Sequence, residues 1–570
     1  MASLEELRAV RLAKIEKLIK AGKNPFPTEI TRDYTLGKIE QDFEALQEKE
    51  VTITGRISAI RGSGSIIFIV LNDGTNSFQV VLKKDQIDDR ENFDLFTETV
   101  DVGDFIQCTG KLFTTERGQK SLLVYSWRMA GKSLLPMPEK WAGITDVDEI
   151  YRKRYLDIMS NTESFNRFKL RSQVIKEIRN YFDTKDFIEI ETPILQNQAG
   201  GAMAKTFKTH HNDLGIDMVL RISLELEHKI IMAGGYPRIY EIGKNFRNEG
   251  SDPSHIQEFT MIEWYAAYET LEQNMDWTED LLKHLAQDVI GKTSFKVFDN
   301  EGNETMVDFN NEWKRLRFPD LLLENAELDI QMASRQDIES KAREWGMPDG
   351  DILQTGTANL LDYIYKKSSR NKIIHPTFVT DYPGDLKPLA QQNTDGTARV
   401  AQLIIAGAEI TNQYAELVNP LRQRELLESQ SKAKADGDDE AMEIDERFLI
   451  AMEHGMPPMT GFGMGIDRLM AIFTEQKNLR DVILFPIMRE KLNNKHYFKI
   501  LLDAVKKNVF SEIEYSQNKK MFTISIRNEK YKLPEEWILD KLGGNLSEKN
   551  LNDMKQLLIN YKVRNRENKE

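Results

Sequence analysis

The alternation of apolar and polar residues between Val51 and Trp127 is the sequence feature that most restricts the fold. In its first run, Val51, Ile53 and Ile57 alternate with polar residues, and Gly and Asp turns separate it from later runs. Four further runs of the same kind follow, at 65–71, 77–83, 104–114 and 120–127. A period of two is typical of β-strands with one buried face. Five such strands predict a small closed β-barrel, since a sandwich would need more strands.

The remaining sequence divides around this barrel. Residues 1–50 hold an amphipathic helix and a linker, and the barrel occupies 51–143, where the five-stranded choice is the OB-fold. Residues 144–489 mix helices and strands without the regular alternation of a parallel sheet, which predicts an antiparallel sheet with flanking helices. The predicted fold class is therefore α+β. Residues 490–570 differ in composition and form an appended domain whose role the sequence does not indicate.

Composition excludes several classes of protein. With 40% hydrophobic and 29% charged residues, the chain is an ordinary folded one. Cys108 is the single cysteine, so no internal disulfide can form, and no apolar stretch reaches membrane-spanning length. We therefore expect a cytoplasmic protein without a membrane partner. The net charge of −14 argues against a generally basic, nucleic-acid-binding surface, although the end of the chain has a local basic excess.

Two strands separated by a polar loop carry a first set of candidate site residues. The strands are predicted at 238–247 and 258–265, and in the second one Phe259, Met261, Glu263 and Tyr265 share a face. Burying an unpaired carboxylate is costly, so Glu263 requires a cationic partner. That partner is either another side chain in a structural salt bridge or a ligand.

A second candidate lies where Gly461, Gly463 and Gly465 occupy alternate positions just before a helix. Glycines on one strand face leave a bare surface for a flat ligand, and Arg468 falls in the first turn of the helix that follows. An anion would meet both a guanidinium and a helix N-terminus there. A simple packing role for the glycines is the alternative.

The segment Glu409 to Glu416 provides a third candidate. Asn412, Tyr414 and Glu416 share a strand face, whereas Glu409 is out of phase with them. A β-bulge or a position at the strand edge is needed to bring Glu409 to the same site.

These segments resemble the signature motifs of the class II aminoacyl-tRNA synthetases. FRNEG (246–250) with EFTMIEWY (258–265) is similar to motif 2, and GFGMGIDR (461–468) to motif 3. Glu191, Thr192 and Pro193 resemble motif 1, which implies a homodimer. The N-terminal barrel points to the subgroup of aspartate, asparagine and lysine enzymes. Segments 200–212, 409–417 and 437–442 resemble the lysyl-tRNA synthetases, and the resemblance extends from the first helix to Arg489.

The resemblance implies ATP-dependent ligation of L-lysine to tRNA(Lys) through a lysyl-adenylate, with Mg²⁺ as cofactor. An aspartyl- or asparaginyl-type ligase of the same subgroup is the alternative. An acidic substrate would require a facing arginine, whereas this pocket offers Glu263 and Glu416. A third possibility is an RNA-binding or signalling protein that keeps the fold without charging tRNA, but Arg247 and Arg468 are both retained.

The resemblance also assigns roles residue by residue. The catalytic residues are Arg247 and Arg468. The ATP-binding residues are Arg247, Glu249, His255, Phe259, Glu409 and Arg468. The lysine-binding residues are Gly201, Glu225, Arg247, Glu263, Tyr265, Asn412, Tyr414, Glu416 and Gly463. The metal ligands are Glu409, Glu416 and Gln402. The anticodon-binding residues are Arg61, Phe68 and Gln79.

Two of these assignments carry an alternative. The family usually has a glutamate where this chain has Gln402, and an amide oxygen is a poorer ligand for a hard cation than a carboxylate. Phe68 lies in a strongly apolar strand and could belong to the barrel core.

Overall fold

The computed structural model describes residues 3–488 apart from 63, 139–143, 203, 300–301 and 436–443, together with the backbone of 433–435 and of three strands between 512 and 534. The chain forms two units, Met1–Pro486 and Ile487–Glu570, which we describe separately. In the described residues, no helix is both long and apolar enough to cross a membrane. The segment 437–442 lies outside the described residues.

The first unit begins with the predicted barrel and its attached helices. Its elements are α1 (Leu4–Lys20), α2 (Leu36–Gln41), α3 (Phe43–Leu46), β1 (Glu50–Arg61), β2 (Ile66–Asn72), β3 (Ser77–Lys83), α4 (Arg90–Thr99), β4 (Phe105–Thr114) and β5 (Lys120–Gly131). The strands close in the order β1-β2-β3-β5-β4, which confirms the five-stranded barrel. Cys108 is buried inside it, and burial raises the pKa of its thiol.

A larger α+β region follows. Its first half contains α5 (Val147–Arg152), α6 (Arg154–Ser160), α7 (Thr162–Asp183), β6 (Ile188–Glu189), β7 (Leu195–Gln196), β8 (Lys208–His211), β9 (Ile216–Leu220), α8 (Glu225–Ala233), β10 (Arg238–Phe246), β11 (Glu258–Ala267) and α9 (Leu271–His284). Its second half contains β12 (Ser294–Phe298), β13 (Glu304–Asp308), β14 (Lys314–Arg317), α10 (Phe318–Ala326), α11 (Arg335–Glu344), α12 (Asp349–Gln354), α13 (Thr357–Ser368), β15 (Thr377–Pro383), β16 (Thr397–Ile405), β17 (Ala408–Ala415), α14 (Pro420–Ala435), α15 (Glu446–Glu453), β18 (Met459–Gly465) and α16 (Ile466–Phe473).

One eight-stranded sheet organises this region, in the order β14-β15-β16-β17-β18-β11-β10-β6. Its central pairs are antiparallel, and only the outermost pairs β14–β15 and β10–β6 are parallel. This confirms the antiparallel sheet expected from the sequence. Trp264 of β11 stacks on Phe462 of β18 in a core that includes Val174 and Phe182 of α7. The face that carries this core is buried, so the other face is left for a site.

A β-bulge in β17 decides which side chains reach that face. Leu403 pairs with Thr411, but the next residue, Ile404, pairs with Glu409, so Ile410 is the extra residue. A bulge shifts the alternation of side chains by one position. Glu409 therefore shares a face with Asn412, and the bulge that the sequence argument required is present.

The second unit is described only by three strands. They are β19 (Glu512–Ser516), β20 (Met521–Ile526) and β21 (Glu529–Pro534), which pair as an antiparallel meander. The remainder of the predicted appended domain, 490–570, lies outside the described residues.

Candidate functional site

A cavity of about 320 Å³ opens on the free face of the large sheet. It is lined by residues of β11, β17 and β18, by the loop after β10, by the start of α8 and by the first turn of α16. All predicted ATP- and lysine-binding residues line it, although they come from segments up to 267 residues apart, Gly201 to Arg468. Convergence of polar groups from distant segments in one concave site is typical of a ligand-binding pocket.

Arg247 stands at one end of the cavity, directly after β10. Its guanidinium carbon lies 5.2 Å from the ring centroid of Phe259, and its Nε donates to the carbonyl oxygen of Ile222 at 3.4 Å. Burial lowers the pKa of Arg247, but a guanidinium remains charged at neutral pH. The aromatic contact holds the cation at the cavity wall, where it can meet an anionic ligand.

Arg468 supplies a second cation from the first turn of α16. Its Nη1 donates to the backbone oxygen of Glu409 at 2.8 Å, and its Nη2 lies 3.5 Å from His255 Nε2. The neighbouring Asp467 accepts from the backbone nitrogen of Thr260 at 2.7 Å and pairs with Arg171 at 2.7 Å. These contacts fix α16 against β11 and thereby aim Arg468.

The loop between β10 and β11 carries Glu249 and His255 to the cavity mouth. Both residues are exposed. The loop is held by a hydrogen bond from Arg480 Nη2 to Ser251 Oγ at 2.7 Å and by one from the nitrogen of Leu479 to the oxygen of Pro253 at 2.9 Å. This end of the site therefore combines two guanidinium groups with the carboxylates of Glu249 and Glu409, and it is open to solvent.

The opposite end is acidic and buried. Glu263 is 4% exposed and accepts hydrogen bonds from Ser223 Oγ at 3.2 Å, from the nitrogen of Leu224 at 3.1 Å and from Tyr265 Oη at 3.4 Å. Among the described residues no cation lies within ion-pair distance of it. The structural salt bridge considered from the sequence is therefore not what the structure shows. Burial and the nearby Glu225 raise the pKa of Glu263 to about 7.

Two further carboxylates, Glu225 and Glu416, contact the buried Lys229, which was not among the predicted site residues. Lys229 Nζ lies 2.8 Å from Glu225 Oε1 and 2.6 Å from Glu416 Oε2. Burial raises the pKa of Glu416, and Lys229 opposes that rise. The spacing from Glu225 to Lys229 is one helical turn, a signal present in the sequence. Ser223 donates a hydrogen bond to Glu263, but no pattern in the sequence indicated this contact.

Glycines give the acidic end its shape. A Cβ on Gly461 would overlap with Glu416 Oε1 and would lie 2.5 Å from the ring of Tyr265. Gly201 has a φ of +79°, and a Cβ there would lie 2.9 Å from the Cβ of Glu225. The glycines therefore keep open the space in front of the carboxylates, and Asn412 completes the wall by donating to Tyr414 Oη at 2.9 Å.

The predicted metal ligands do not form a carboxylate cluster. In the part of the chain that the structure describes, no group of three His, Cys, Asp or Glu residues is arranged to hold a metal ion. Glu409 lines the cavity, whereas Gln402 lies in the adjoining cavity with its Nε2 3.5 Å from Asn412 Oδ1. One carboxylate fits the way Mg²⁺ is usually held beside nucleotides, where phosphates and water supply most ligands.

The predicted anticodon residues lie on the outer surface of the barrel. Phe68 is 38% exposed and stands opposite Arg61 in the β1–β2 pair, so it is not a core residue. Gln79 of β3 pairs with Val70 on the same face and donates to Ser121 Oγ at 2.8 Å. An exposed aromatic ring flanked by a guanidinium and an amide is suited to stacking on a single-stranded base.

An antiparallel sheet bearing two arginines, preceded by an OB-fold barrel, is the arrangement that the resemblance to the aspartate, asparagine and lysine subgroup of the class II synthetases implied. A family model described as class II tRNA synthetases (D, K and N) matches residues 146–489, and one described as an OB-fold nucleic acid binding domain matches 51–130. The chain belongs to this class and, within it, to the lysine–tRNA ligase family.

Individual relatives support the narrower placement. The lysine–tRNA ligase of Carboxydothermus hydrogenoformans is 39% identical over 492 residues, which cover 86% of this chain and 99% of that protein. The lysine–tRNA ligase of Lactococcus lactis subsp. lactis is also 39% identical, over 86% of this chain and all of its own length. The lysine–tRNA ligase of a Nostoc species is 39% identical over 85% of this chain and 88% of its own. The aspartyl or asparaginyl alternative is correspondingly less supported.

Proposed function

We propose that the cavity activates L-lysine with ATP and then transfers the lysyl group to tRNA(Lys). An oxygen of the lysine carboxylate attacks the α-phosphorus, the bond to the leaving pyrophosphate breaks, and lysyl-adenylate forms. Both reactants are anionic where they meet, so the site needs positive charge and alignment rather than a proton-transferring base. The single observation that carries the proposal is one cavity with two arginines at one end and buried carboxylates at the other.

In this proposal Arg247 lies between the carboxylate and the α-phosphate, and Arg468 holds the far end of the triphosphate. Phe259 stacks on adenine, and Glu249 and His255 contact the nucleotide from the loop. Preorganised charge of this kind is commonly the largest catalytic contribution, because it needs no rearrangement as the transition state forms. In the second step the 3′-hydroxyl of the terminal adenosine attacks the lysyl carbonyl, and AMP leaves.

The acidic end receives the two ammonium groups of lysine. We assign the α-amine to Glu225 and Gly201, and the ε-ammonium to Glu263 and Glu416, with Tyr265, Asn412, Tyr414 and Gly463 along the aliphatic chain. Glu263 has no cationic partner among the described residues, and its burial makes a ligand cation the natural partner. Glu416 already contacts Lys229, and we therefore assign it to the amino acid rather than to a metal.

We propose that Mg²⁺ accompanies ATP and is held by Glu409, with Gln402 contributing at most a neutral oxygen. When bound, the ion would neutralise phosphate charge. A site with one carboxylate relies on the phosphates for most of its ligands. Magnesium is therefore expected to bind together with ATP and not to the free protein.

Two partners complete the proposal. Arg61, Phe68 and Gln79 would bind the anticodon of tRNA(Lys), since their outward position on the barrel leaves the Phe68 ring free to stack. We also propose a homodimer through the motif 1 segment, because Ile188, Ile194 and Leu195 expose 42–45% of their surface there. A cytoplasmic location is the compartment in which this chemistry is expected.

The proposal is tested by ATP–pyrophosphate exchange with each of the twenty amino acids in turn. Exchange with lysine alone is the expected result. Exchange with aspartate or asparagine would favour the alternative ligase, and no exchange with any amino acid would favour the non-catalytic alternative.

A further inference from the structure

Lys229 is a fully buried lysine at the acidic end of the cavity that no step of the proposed mechanism uses. It lies in α8, where its Nζ contacts Glu225 and Glu416 and also donates to the backbone oxygen of Leu389 at 3.3 Å. Its side chain has no exposed surface. A buried lysine is retained at a cost, so its contacts indicate a role.

The first consequence of Lys229 concerns the formal charge of the pocket. Glu225, Glu263 and Glu416 are buried together, and Lys229 is the cation that touches two of them. These three carboxylates and the ammonium of Lys229 sum to a formal charge of −2, and Lys387, which also lines the cavity with its Nζ 5.9 Å from the ring centroid of Tyr414, reduces the net negative charge to −1. Glu263 has no cationic partner among the described residues, so the side-chain ammonium of a dicationic amino acid can pair with it, whereas an amino acid with a single ammonium leaves it unpaired.

The second consequence concerns the direction of Glu416. Lys229 contacts Oε2 of Glu416, and the other oxygen, Oε1, lies against Gly461 at the bare wall of the cavity. Both oxygens of Glu416 are buried and accept no hydrogen bond among the described residues, but Oε2 is ion-paired with Lys229, whereas Oε1 has no such contact. A buried polar atom without a partner that faces a cavity is a site for a ligand donor. Lys229 therefore sets how deep in the cavity that acceptor stands.

We propose that Lys229 is a positioning residue that determines amino-acid specificity: it fixes the charge of the pocket and the depth of Glu416, so that the pocket selects a dicationic amino acid with a side chain as long as that of lysine. The inference rests on the proposed activation of lysine. In this proposal, the side chain of Lys229 makes the pocket selective for the substrate L-lysine.

The first experiment compares Lys229→Met with the wild type in lysine-dependent ATP–pyrophosphate exchange. We expect the KM for lysine to rise about 30-fold, since an unpaired and misdirected buried carboxylate binds poorly. The KM for ATP and kcat should each change less than about threefold, because Lys229 touches neither the nucleotide nor the reacting atoms. The preference for lysine over ornithine should fall about tenfold as Glu416 is released. Lys229→Arg, which keeps the charge, should recover most of the lysine affinity.

Lys132→Met is the matched control. Lys132 is also a fully buried lysine between two carboxylates, 2.6 Å from Asp101 Oδ2 and 2.7 Å from Asp104 Oδ2, but it lies at the barrel. Its loss should lower stability without changing the KM for lysine. An equal rise in that KM for both variants would show that a buried lysine matters only for the fold, and would overturn the proposal.

A double-mutant cycle tests whether Lys229 acts through Glu416. In a Glu416→Gln background, adding Lys229→Met should raise the KM for lysine less than about threefold further, since the residue it positions has already lost its charge. The double variant leaves one buried carboxylate, Glu225, without its cation, whereas Lys229→Met alone leaves two, so the double variant is expected to be the more stable of the two. The same large factor in both backgrounds would overturn the proposal. If the wild type itself shows no lysine-dependent exchange, the proposed function fails instead.

Discussion

The two ends of the cavity differ in how completely the protein prepares them for a ligand. At the end proposed to bind the nucleotide, Arg247 and Arg468 are partly exposed, and the loop that carries Glu249 and His255 faces solvent. At the end proposed to bind the amino acid, Glu263 and Glu416 are each 4% exposed and are held by neighbouring donors or by Lys229. One end presents accessible positive charge, and the other end is a buried acidic slot whose depth the protein fixes.

In the proposed function, the accessible arginines contribute to catalysis and the buried carboxylates contribute to recognition of the amino acid. A positioned but accessible guanidinium can stay in contact with a phosphate group during the reaction, and its electrostatic stabilisation is greatest in the transition state. Buried carboxylates cannot adjust without a large cost, so they discriminate between ligands already at the binding step. Changes at the nucleotide end should therefore reduce kcat, and changes at the amino-acid end should raise the KM for lysine.

The largest effect is expected from Arg247→Ala. Removing a cation that stabilises developing charge should lower kcat for lysine-dependent exchange by about 100- to 1,000-fold. Arg399→Ala is a suitable control, since Arg399 hydrogen-bonds Gln391 on the surface of the same domain and should leave kcat unchanged. A selective rise in the KM for lysine, with kcat retained, would contradict the division between the two ends.

Gly461→Ala tests the shape of the amino-acid end. The added methyl group would overlap with Glu416 and with the ring of Tyr265, so the KM for lysine should rise by about 50-fold, with little change in the KM for ATP. Gly465→Ala is the matched change on the same strand, where the new Cβ would stand at an ordinary 3.9 Å from Arg468 Cγ. If both variants behave alike in steady-state kinetics, the glycines only pack the strand.

Phe68→Ala tests the proposed stacking of a tRNA base on the barrel. Loss of one base-stacking ring should weaken tRNA binding by about 10- to 30-fold, while lysine-dependent exchange without tRNA stays unchanged. Ile66→Ala removes an apolar side chain that is equally exposed on the same strand and should have little effect on tRNA affinity. Equal losses in a filter-binding titration would argue against stacking by Phe68.

The smallest expected effect is a dependence of lysine affinity on pH. The pKa of Glu263 is raised to about 7, so the carboxyl is protonated below that pH and must lose a proton to bind an ammonium group. The KM for lysine should therefore fall by about tenfold as the pH rises from 6 to 8 and then level off, while lysine itself stays dicationic. In Glu263→Gln the KM should be higher and should fall less over this range, since Glu416, whose pKa is also raised by burial, is the carboxylate that remains to lose a proton. A wild-type KM that rises with pH would contradict the assignment.

Local patterns in the sequence predicted the barrel and the antiparallel sheet, and the resemblance to the class II synthetases supplied most of the residues that line the cavity. It could not predict the Lys229 pair with Glu416, which joins α8 to the residue directly after β17 and depends on tertiary packing. It also could not decide between core and surface for Phe68, since both faces of β2 carry apolar residues. The strand register of the closed barrel places Phe68 opposite Arg61 on the outer surface.

Calorimetric titration of the protein with L-lysine and with L-norleucine tests the central claim most directly. The two amino acids differ in the terminal ammonium group alone, which the buried carboxylates Glu263 and Glu416 are proposed to recognise. Binding of lysine at least about 100-fold tighter than norleucine is the predicted result, because a site built to pair a polar group strongly rejects an analogue that lacks it. Similar affinities for the two would contradict the acidic pocket as the source of specificity.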